Sequence, residues 1–287
     1  MHTYSDVTAE IGKTKTALYK CWLELTSTIN GQQNAAPSWM IGHFIETEYN
    51  KIDLAFGWVF EVPEPGFFTD MHNRAHQAVN FVQRSTYASA AGMIGDKVGH
   101  WKGAAAANFH GQFIKSMENS VDRQKALTAA VANAYGCVQG VCQLGLESAI
   151  NTAKVAQQAY QAASRQGGGM SSDGIKMFWN VTAVATGIAA AAVTGGGTLG
   201  MWLEGATAVS GFFANLVEDS APEKKLAIQG GDPIAVTDSF VTAMGKARTN
   251  YLQAVQKWEE EARKDMAKAT EQYQERLLPL RPTIAPA

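Results

Sequence analysis

The sequence predicts an all-α fold, built as an elongated bundle of long helical hairpins with one apolar helical hairpin as an insert. Three observations predict it. No proline occurs between Pro65 and Pro222, so no proline in that stretch forces a helix to end. Alanine, the residue with the highest helix propensity, is abundant. Apolar residues recur at helical spacing, and no stretch alternates as a half-buried strand would.

The N-terminal region, residues 1–61, is predicted to form a helical hairpin. Its first helix carries a single apolar stripe along one face. The members of this stripe are Val7, Ile11, Leu18, Trp22, Leu25 and Ile29. Asn30-Gly31 ends the helix, and a second helix is expected from about Trp39 to Phe60, before the sequence VPEPG breaks the chain.

Residues 68–165 are predicted to form a helix, a tight turn and a second, long helix. Thr69 and Asp70 can cap the first helix, which is expected to continue to about residue 94. A turn around Trp101 is indicated by the glycines at positions 92, 95, 99 and 103. The long helix is expected from about residue 104 to residue 165, because its apolar residues keep the helical period throughout.

Residues 175–218 are predicted to form an apolar helical hairpin that is rich in alanine and glycine. Glu204 is the only charged residue between Lys176 and Glu218, and three consecutive glycines divide the stretch into two arms. If this hairpin enters a membrane, the residues expected to matter most are Trp179, Gly195, Gly196, Gly197, Trp202, Glu204, Phe212 and Phe213. Its composition is less hydrophobic than that of a permanent transmembrane helix. Two interpretations therefore stay open: a hairpin packed inside the protein, or one that is stored and inserted later.

Residues 233–280 are predicted to form a C-terminal amphipathic helix that packs on the bundle. Asp232 is a plausible N-cap, and Pro233 suits the first helical position. The apolar residues of this helix recur at near-heptad spacing. Its opposite face is highly charged around residues 259–265, as a solvated face normally is.

Charge and cysteine usage exclude several classes of protein. The chain has 24 basic and 26 acidic residues and a formal net charge of −2, which argues against a nucleic-acid-binding polycation. Its three cysteines have no metal-ligand spacing, and their odd number argues against a disulfide framework. The first twenty residues lack a basic stretch followed by an apolar run, so a cleaved secretory signal is not expected.

No catalytic or cofactor-binding motif is found in the sequence. There is no nucleophile elbow, phosphate loop or dinucleotide fingerprint. His72 and His76 are four positions apart on an expected helix, but no third ligand is adjacent in the sequence, and packing is the favoured interpretation. The sequence therefore predicts a protein that is not an enzyme and binds no metal or cofactor.

Two short motifs carry the functional interpretation. Trp101-Lys-Gly103 lies at the expected turn and is followed by AAAANF and then Phe113. Glycine allows a tight reversal, and the indole can cover the ends of both helices, so a structural role alone would account for this pattern. The second motif, Tyr49-Asn-Lys-Ile-Asp53, lies on the second helix of the preceding hairpin.

The order of these features resembles the WxG and fused PE–PPE-like (EspB-like) substrates of the actinobacterial type VII secretion system. A hairpin with Y-x-x-x-D is followed by a proline-containing linker and then by a W-x-G helix-turn-helix. The resemblance covers residues 1–165, with a PE-like hairpin and a PPE-like region, and extends by pattern to 233–287, but the apolar insert is not part of it. It implies an export-recognition surface formed by Trp101, Gly103, Tyr49 and Asp53.

The resemblance also implies a function and a set of partners. The protein is expected to be cytoplasmic before export, to leave without a cleaved signal peptide, and to act outside by self-assembly or membrane association. The partners implied are the secretion machinery or a helical chaperone, further copies of the chain, and a lipid membrane. Two alternatives stay open: an α-helical pore-forming toxin of the ClyA type that inserts residues 177–217, and a cytoplasmic scaffold in which that hairpin stays buried or docked.

Overall fold

The computed structural model describes residues 2–30, 38–84, 86–165, 175–180 and 225–271. These residues are predominantly helical, which confirms the predicted helical character of the chain. Of the predicted apolar hairpin, only the first few residues lie within the described ranges.

The N-terminal region contains two helices in mutual contact, α1 (Tyr4–Asn30) and α2 (Ser38–Phe56). A 3-10 helix (Gly57–Glu61) directly follows α2. Asp6 in the first turn of α1 accepts hydrogen bonds from the backbone N–H and the hydroxyl of Thr3, at 2.8 and 3.1 Å. Since the N–H groups at a helix start lack intrahelical acceptors, the Asp6 carboxylate stabilises the start of α1 by accepting from the Thr3 N–H.

The next helices are α3 (Pro65–Arg84) and α4 (Thr86–Val98). Helix α3 begins before the predicted Thr69-Asp70 cap, because proline suits a first helical turn, where an N–H has no intrahelical acceptor. The turn after α4 is shorter than the glycine pattern predicted, since Gly92 and Gly95 belong to α4 itself.

A helical path then runs without a break from residue 104 to residue 165, the span that the sequence predicted. It comprises α5 (Ala104–Asn108), a π-helical turn (Phe109–Ile114) and α6 (Lys115–Arg165). The π-turn was not predicted, because a single wider turn leaves almost no trace in the apolar period. Such π-turns are rare and are frequently found at functional sites.

A two-stranded antiparallel ribbon corrects the prediction that the chain contains no strand. Strand β1 (Ile175–Asn180) pairs with β2 (Lys225–Gly230). Residues 177–180 were predicted to begin the first helical arm of the apolar hairpin, but they are extended, and Trp179 pairs with Leu226. Periodicity missed the ribbon because its strands are short and far apart in the sequence.

The rest of the predicted membrane-inserting set lies outside the described residues: Gly195, Gly196, Gly197, Trp202, Glu204, Phe212 and Phe213. Among the residues that the structure does describe, no helix combines the length and the apolar composition needed to cross a bilayer.

The last helix, α7 (Pro233–Glu271), begins where the sequence predicted. The Asp232 carboxylate accepts a hydrogen bond from the Ala235 N–H at 2.9 Å, as expected of an N-cap. Gly230 ends β2 close to this helix, and a Cβ added there would lie 2.6 Å from the Val236 nitrogen. The connection from the ribbon into α7 therefore requires glycine at this position.

The chain divides into two compact units, and the divisions fall within α3, α6 and α7. The first unit comprises Met1–Phe67 and Val138–Gln256, and the second comprises Phe68–Cys137 and Lys257–Ala287. The first unit has a core drawn from α1, α2, α6, α7 and β2. Its largest fully buried side chains are Val7, Leu18, Ile52, Phe56, Leu146, Ile150, Tyr160, Ile228, Phe240 and Met244.

Candidate functional site

Tyr49 and Asp53 lie one helical turn apart on α2, in the first unit, and share a contact with α1. The Lys15 ammonium lies 2.6 Å from Asp53 Oδ2 and 5.4 Å from the centroid of the Tyr49 ring. A spacing of four residues places the two α2 side chains on the same face, so one cation from the neighbouring helix reaches both. The sequence predicted that Tyr49 and Asp53 belong to one motif, but it did not predict that Lys15 contacts both.

The two side chains of the motif differ in their exposure. Tyr49 is half-buried, and its pKa is raised by this burial and by the neighbouring Tyr19. Asp53 keeps 51% of its side-chain surface exposed despite its ion pair. The pair is therefore held from one side by Lys15 and accessible from solvent.

The inner face of the same helix carries a second polar cluster. Glu48 is buried, with one carboxylate oxygen 2.9 Å from the Lys51 ammonium. Lys51 also contacts Asp238 on α7 at 2.8 Å, and these two acids raise its pKa. Helix α2 is thus fixed on the side that faces α7, which holds Tyr49 and Asp53 in a defined orientation.

Trp101 and Gly103 lie in the second unit, at the reversal between α4 and α5. The backbone N–H of Trp101 donates a hydrogen bond to the Val98 carbonyl at 2.9 Å, which closes the turn after α4. Gly103 precedes α5 with a φ of 101°, a conformation that residues with a Cβ rarely adopt. The sequence interpretation of this glycine as the residue that allows reversal agrees with its backbone.

The Trp101 indole is only partly covered by the helices that it joins. The centroid of its ring lies 6.0 Å from the centroid of the Phe109 ring, and the centroids of the Phe109 and Phe113 rings lie 5.1 Å apart. These phenylalanines pack against Ile114, the buried centre of the cluster. Trp101 itself keeps 53% of its surface exposed, so the cluster leaves a large part of the indole in contact with solvent.

The predicted site residues fall into separate parts of the described structure. Tyr49 and Asp53 belong to the first unit, and Trp101 and Gly103 belong to the second. Lys15 was missed because its contact depends on how α1 and α2 are aligned, and no local pattern encodes that alignment.

His72 and His76 contact each other on α3, with ring centroids 4.5 Å apart. The buried His72 places Nδ1 2.9 Å from the Ala132 carbonyl oxygen, so this nitrogen carries the proton and donates it. Burial, together with the adjacent His72, lowers the pKa of His76. Within the described ranges, no three or more His, Cys, Asp or Glu side chains are grouped as metal ligands.

An open groove of about 550 Å³ lies between α1 and α6 in the first unit. Its lining includes the buried Cys21, whose pKa is raised by burial to about 12. The groove is lined by Ala9, Gly12, Lys13, Thr16, Ala17, Lys20, Cys21, Glu24, Gln157, Tyr160, Gln161 and Ser164.

Comparisons with protein-family models, with curated proteins and with solved structures found no match to this chain.

Proposed function

We propose that this protein is a non-enzymatic helical substrate of a type VII secretion system, which self-assembles or associates with membranes after export. The observation that carries the proposal is the exposure of Trp101 at the glycine turn between α4 and α5. Its partners would be the secretion machinery or a helical chaperone before export, and further copies of the chain or a lipid surface afterwards.

The exposure of Trp101 supports a recognition role because a purely structural role does not require it. An indole that only covered helix ends would gain most by burying its whole surface, at about 25 cal/mol per Å². Trp101 instead leaves about half of that surface in solvent. Tryptophan is enriched among the residues that dominate binding at protein interfaces, since it offers a large contact area and few rotatable bonds.

The arrangement of Tyr49 and Asp53 supports the same proposal independently. They share one face of α2, both keep part of their surface exposed, and the opposite face is anchored through Glu48 and Lys51. A receptor can therefore meet a phenol ring and a carboxylate at a defined spacing on a rigid helix.

The test is export from a producing culture, measured as the ratio of protein in the medium to protein in the cells. The double variant Trp101→Ala/Tyr49→Ala should lose at least about tenfold in this ratio, since truncation of a residue that dominates an interface costs about 2 kcal/mol or more. Its helical content, measured by circular dichroism, should stay that of the wild type.

A matched control is Met93→Ala, which removes an exposed apolar side chain from α4 in the same unit. Its export should equal that of the wild type. Undiminished export of the Trp101→Ala/Tyr49→Ala variant would refute the proposed function, and an equal loss in Met93→Ala would show that the turn has no specific role.

The β1–β2 ribbon favours a second candidate function, an α-helical pore-forming protein of the ClyA type. Asn180 and Lys225 are paired, so the residues between them, which include the apolar segment, leave and rejoin the ribbon at neighbouring positions. Because the ribbon holds both ends of this segment together, the segment could enter a bilayer as a hairpin while the helices α1–α7 stay outside.

The ribbon also defines the variant that tests this second function. Residues 181–224 are replaced by Asn-Gly, which favours the two-residue turn that joins antiparallel strands. Dye release from phosphatidylcholine–phosphatidylglycerol vesicles should be lost in this variant and present in the full chain. Equal release by both proteins, or release by neither, would eliminate the pore-forming function.

A further inference from the structure

Lys15 is the residue that joins Tyr49 and Asp53. Its ammonium contacts the Asp53 carboxylate at 2.6 Å and lies over the Tyr49 ring at 5.4 Å. We propose that Lys15 is a positioning residue of the recognition signal formed by Tyr49 and Asp53. This inference rests on the proposed function, in which that pair is read by the secretion machinery.

The physical argument concerns the freedom of the two side chains before they are bound. A partly exposed tyrosine or aspartate can adopt several rotamers, and a receptor that requires one of them must restrict the others on binding. An exposed ion pair and an exposed cation–π contact each favour one arrangement by about two- to fivefold. Because Lys15 makes both contacts with one group, the bound arrangement is favoured by about tenfold before the receptor arrives.

The same contact determines what a receptor meets at this surface. Lys15 keeps 26% of its side-chain surface exposed, and Asp53 keeps 51%. The signal is therefore the Tyr49 ring beside the Asp53 carboxylate, whose charge is balanced by Lys15. The same Lys15 side chain, from α1, orients both groups. A receptor built for this surface would select the ordered pair and discriminate against an isolated carboxylate on a helix.

The experiment compares two substitutions of Lys15 in the export assay. Lys15→Met keeps the aliphatic stem and removes the charge, so export should fall by about five- to tenfold. Lys15→Arg keeps a cation that can pair with a carboxylate and stack on a ring, and its export should stay near wild type. Lys20→Met, which removes another lysine of α1, is the matched control and should also be exported normally.

A second measurement reads the positioning directly and does not depend on export. The purified full chain is labelled with fluorotyrosine, and the resonance of Tyr49 is identified by its absence in Tyr49→Phe. Lys15→Met should shift this resonance, whereas Lys20→Met should leave it unchanged. An unshifted resonance would overturn the positioning role, whatever the export result.

Reference variants separate the failure of this inference from the failure of the proposed function. If Tyr49→Ala and Trp101→Ala block export while Lys15→Met is exported at the wild-type level, only the role of Lys15 is refuted. If Tyr49→Ala and Trp101→Ala are themselves exported normally, the proposed function fails and the inference fails with it. Reduced export of Lys15→Met together with a shifted Tyr49 resonance supports the inference.

Discussion

The two compact units differ in how they bury apolar side chains. The largest fully buried side chains of the described residues all belong to the first unit, where four helices and β2 contribute to one core. The second unit has a smaller cluster, in which Ile114 is buried and Ile94, Phe109 and Phe113 are partly covered. The exposed Trp101 turn thus belongs to the unit with less buried apolar surface, where local opening requires less free energy.

The largest expected effect comes from the core of the first unit. Phe240 is fully buried and packs against Phe56, with the two ring centroids 5.7 Å apart. Phe240→Ala should therefore lower the free energy of unfolding by about 3–5 kcal/mol. Equilibrium urea unfolding followed by circular dichroism measures this loss. Phe81→Ala, at a position 74% exposed in the second unit, should change stability by less than about 0.5 kcal/mol. Similar losses in both variants would contradict the difference between the units.

A pair of glycines tests how closely α6 and α7 pack within the first unit. A Cβ at Gly145 would lie 2.9 Å from the Tyr251 ring, so Gly145→Ala should destabilise by about 1–3 kcal/mol. A Cβ added at Gly245, on α7, would meet no atom within 4 Å. Gly245→Ala should therefore stabilise the protein by up to about 1 kcal/mol, because alanine has the higher helix propensity. Thermal unfolding of both variants measures whether each substitution raises or lowers the stability. Stabilisation by Gly145→Ala would show that the contact between Gly145 and Tyr251 is looser than described.

The buried hydroxyl of Tyr160 should have a smaller effect. Thr237 donates its hydroxyl proton to the Pro233 carbonyl, so Tyr160 is the donor in its 2.7 Å hydrogen bond with Thr237. Tyr160→Phe removes this bond and should cost about 0.5–1.5 kcal/mol in urea unfolding. Tyr19→Phe, at a position 44% exposed, is the control and should be neutral. A neutral result for Tyr160→Phe would show that this polar contact adds nothing to the core.

The smallest expected effect is a pH dependence confined to the second unit. Burial and the adjacent His72 lower the pKa of His76 below 6.5 in the folded state. The unfolded chain therefore binds a proton at a higher pH than the folded one, and stability falls as the pH drops below 6.5. Hydrogen exchange of α3 peptides should accelerate in mild acid beyond its intrinsic pH dependence. His76→Gln should reduce that acceleration, and an unchanged response would exclude His76 as its source.

Local signals in the sequence were sufficient for much of the fold and for part of the candidate site. The Asp232-Pro233 start of α7, the span from residue 104 to residue 165, and the shared face of Tyr49 and Asp53 all depend on residues close in sequence. The ribbon and the Lys15 contact depend on segments far apart in the chain, and neither has a periodic signature. The exposure of Trp101 was also beyond sequence reasoning, because it depends on how far Phe109 and its neighbours cover the indole.

The division of the first unit into two segments that are far apart in the chain has a consequence for biosynthesis. Val7 and Leu18 belong to the same core as Phe240 and Met244, yet the ribosome makes α1 long before it makes α7. The inner face of α1 and α2 therefore stays uncovered until α6 and α7 have been made. Contacts of such high sequence separation slow folding. A newly made chain consequently passes through a period in which it can still be captured, threaded or degraded before its core closes.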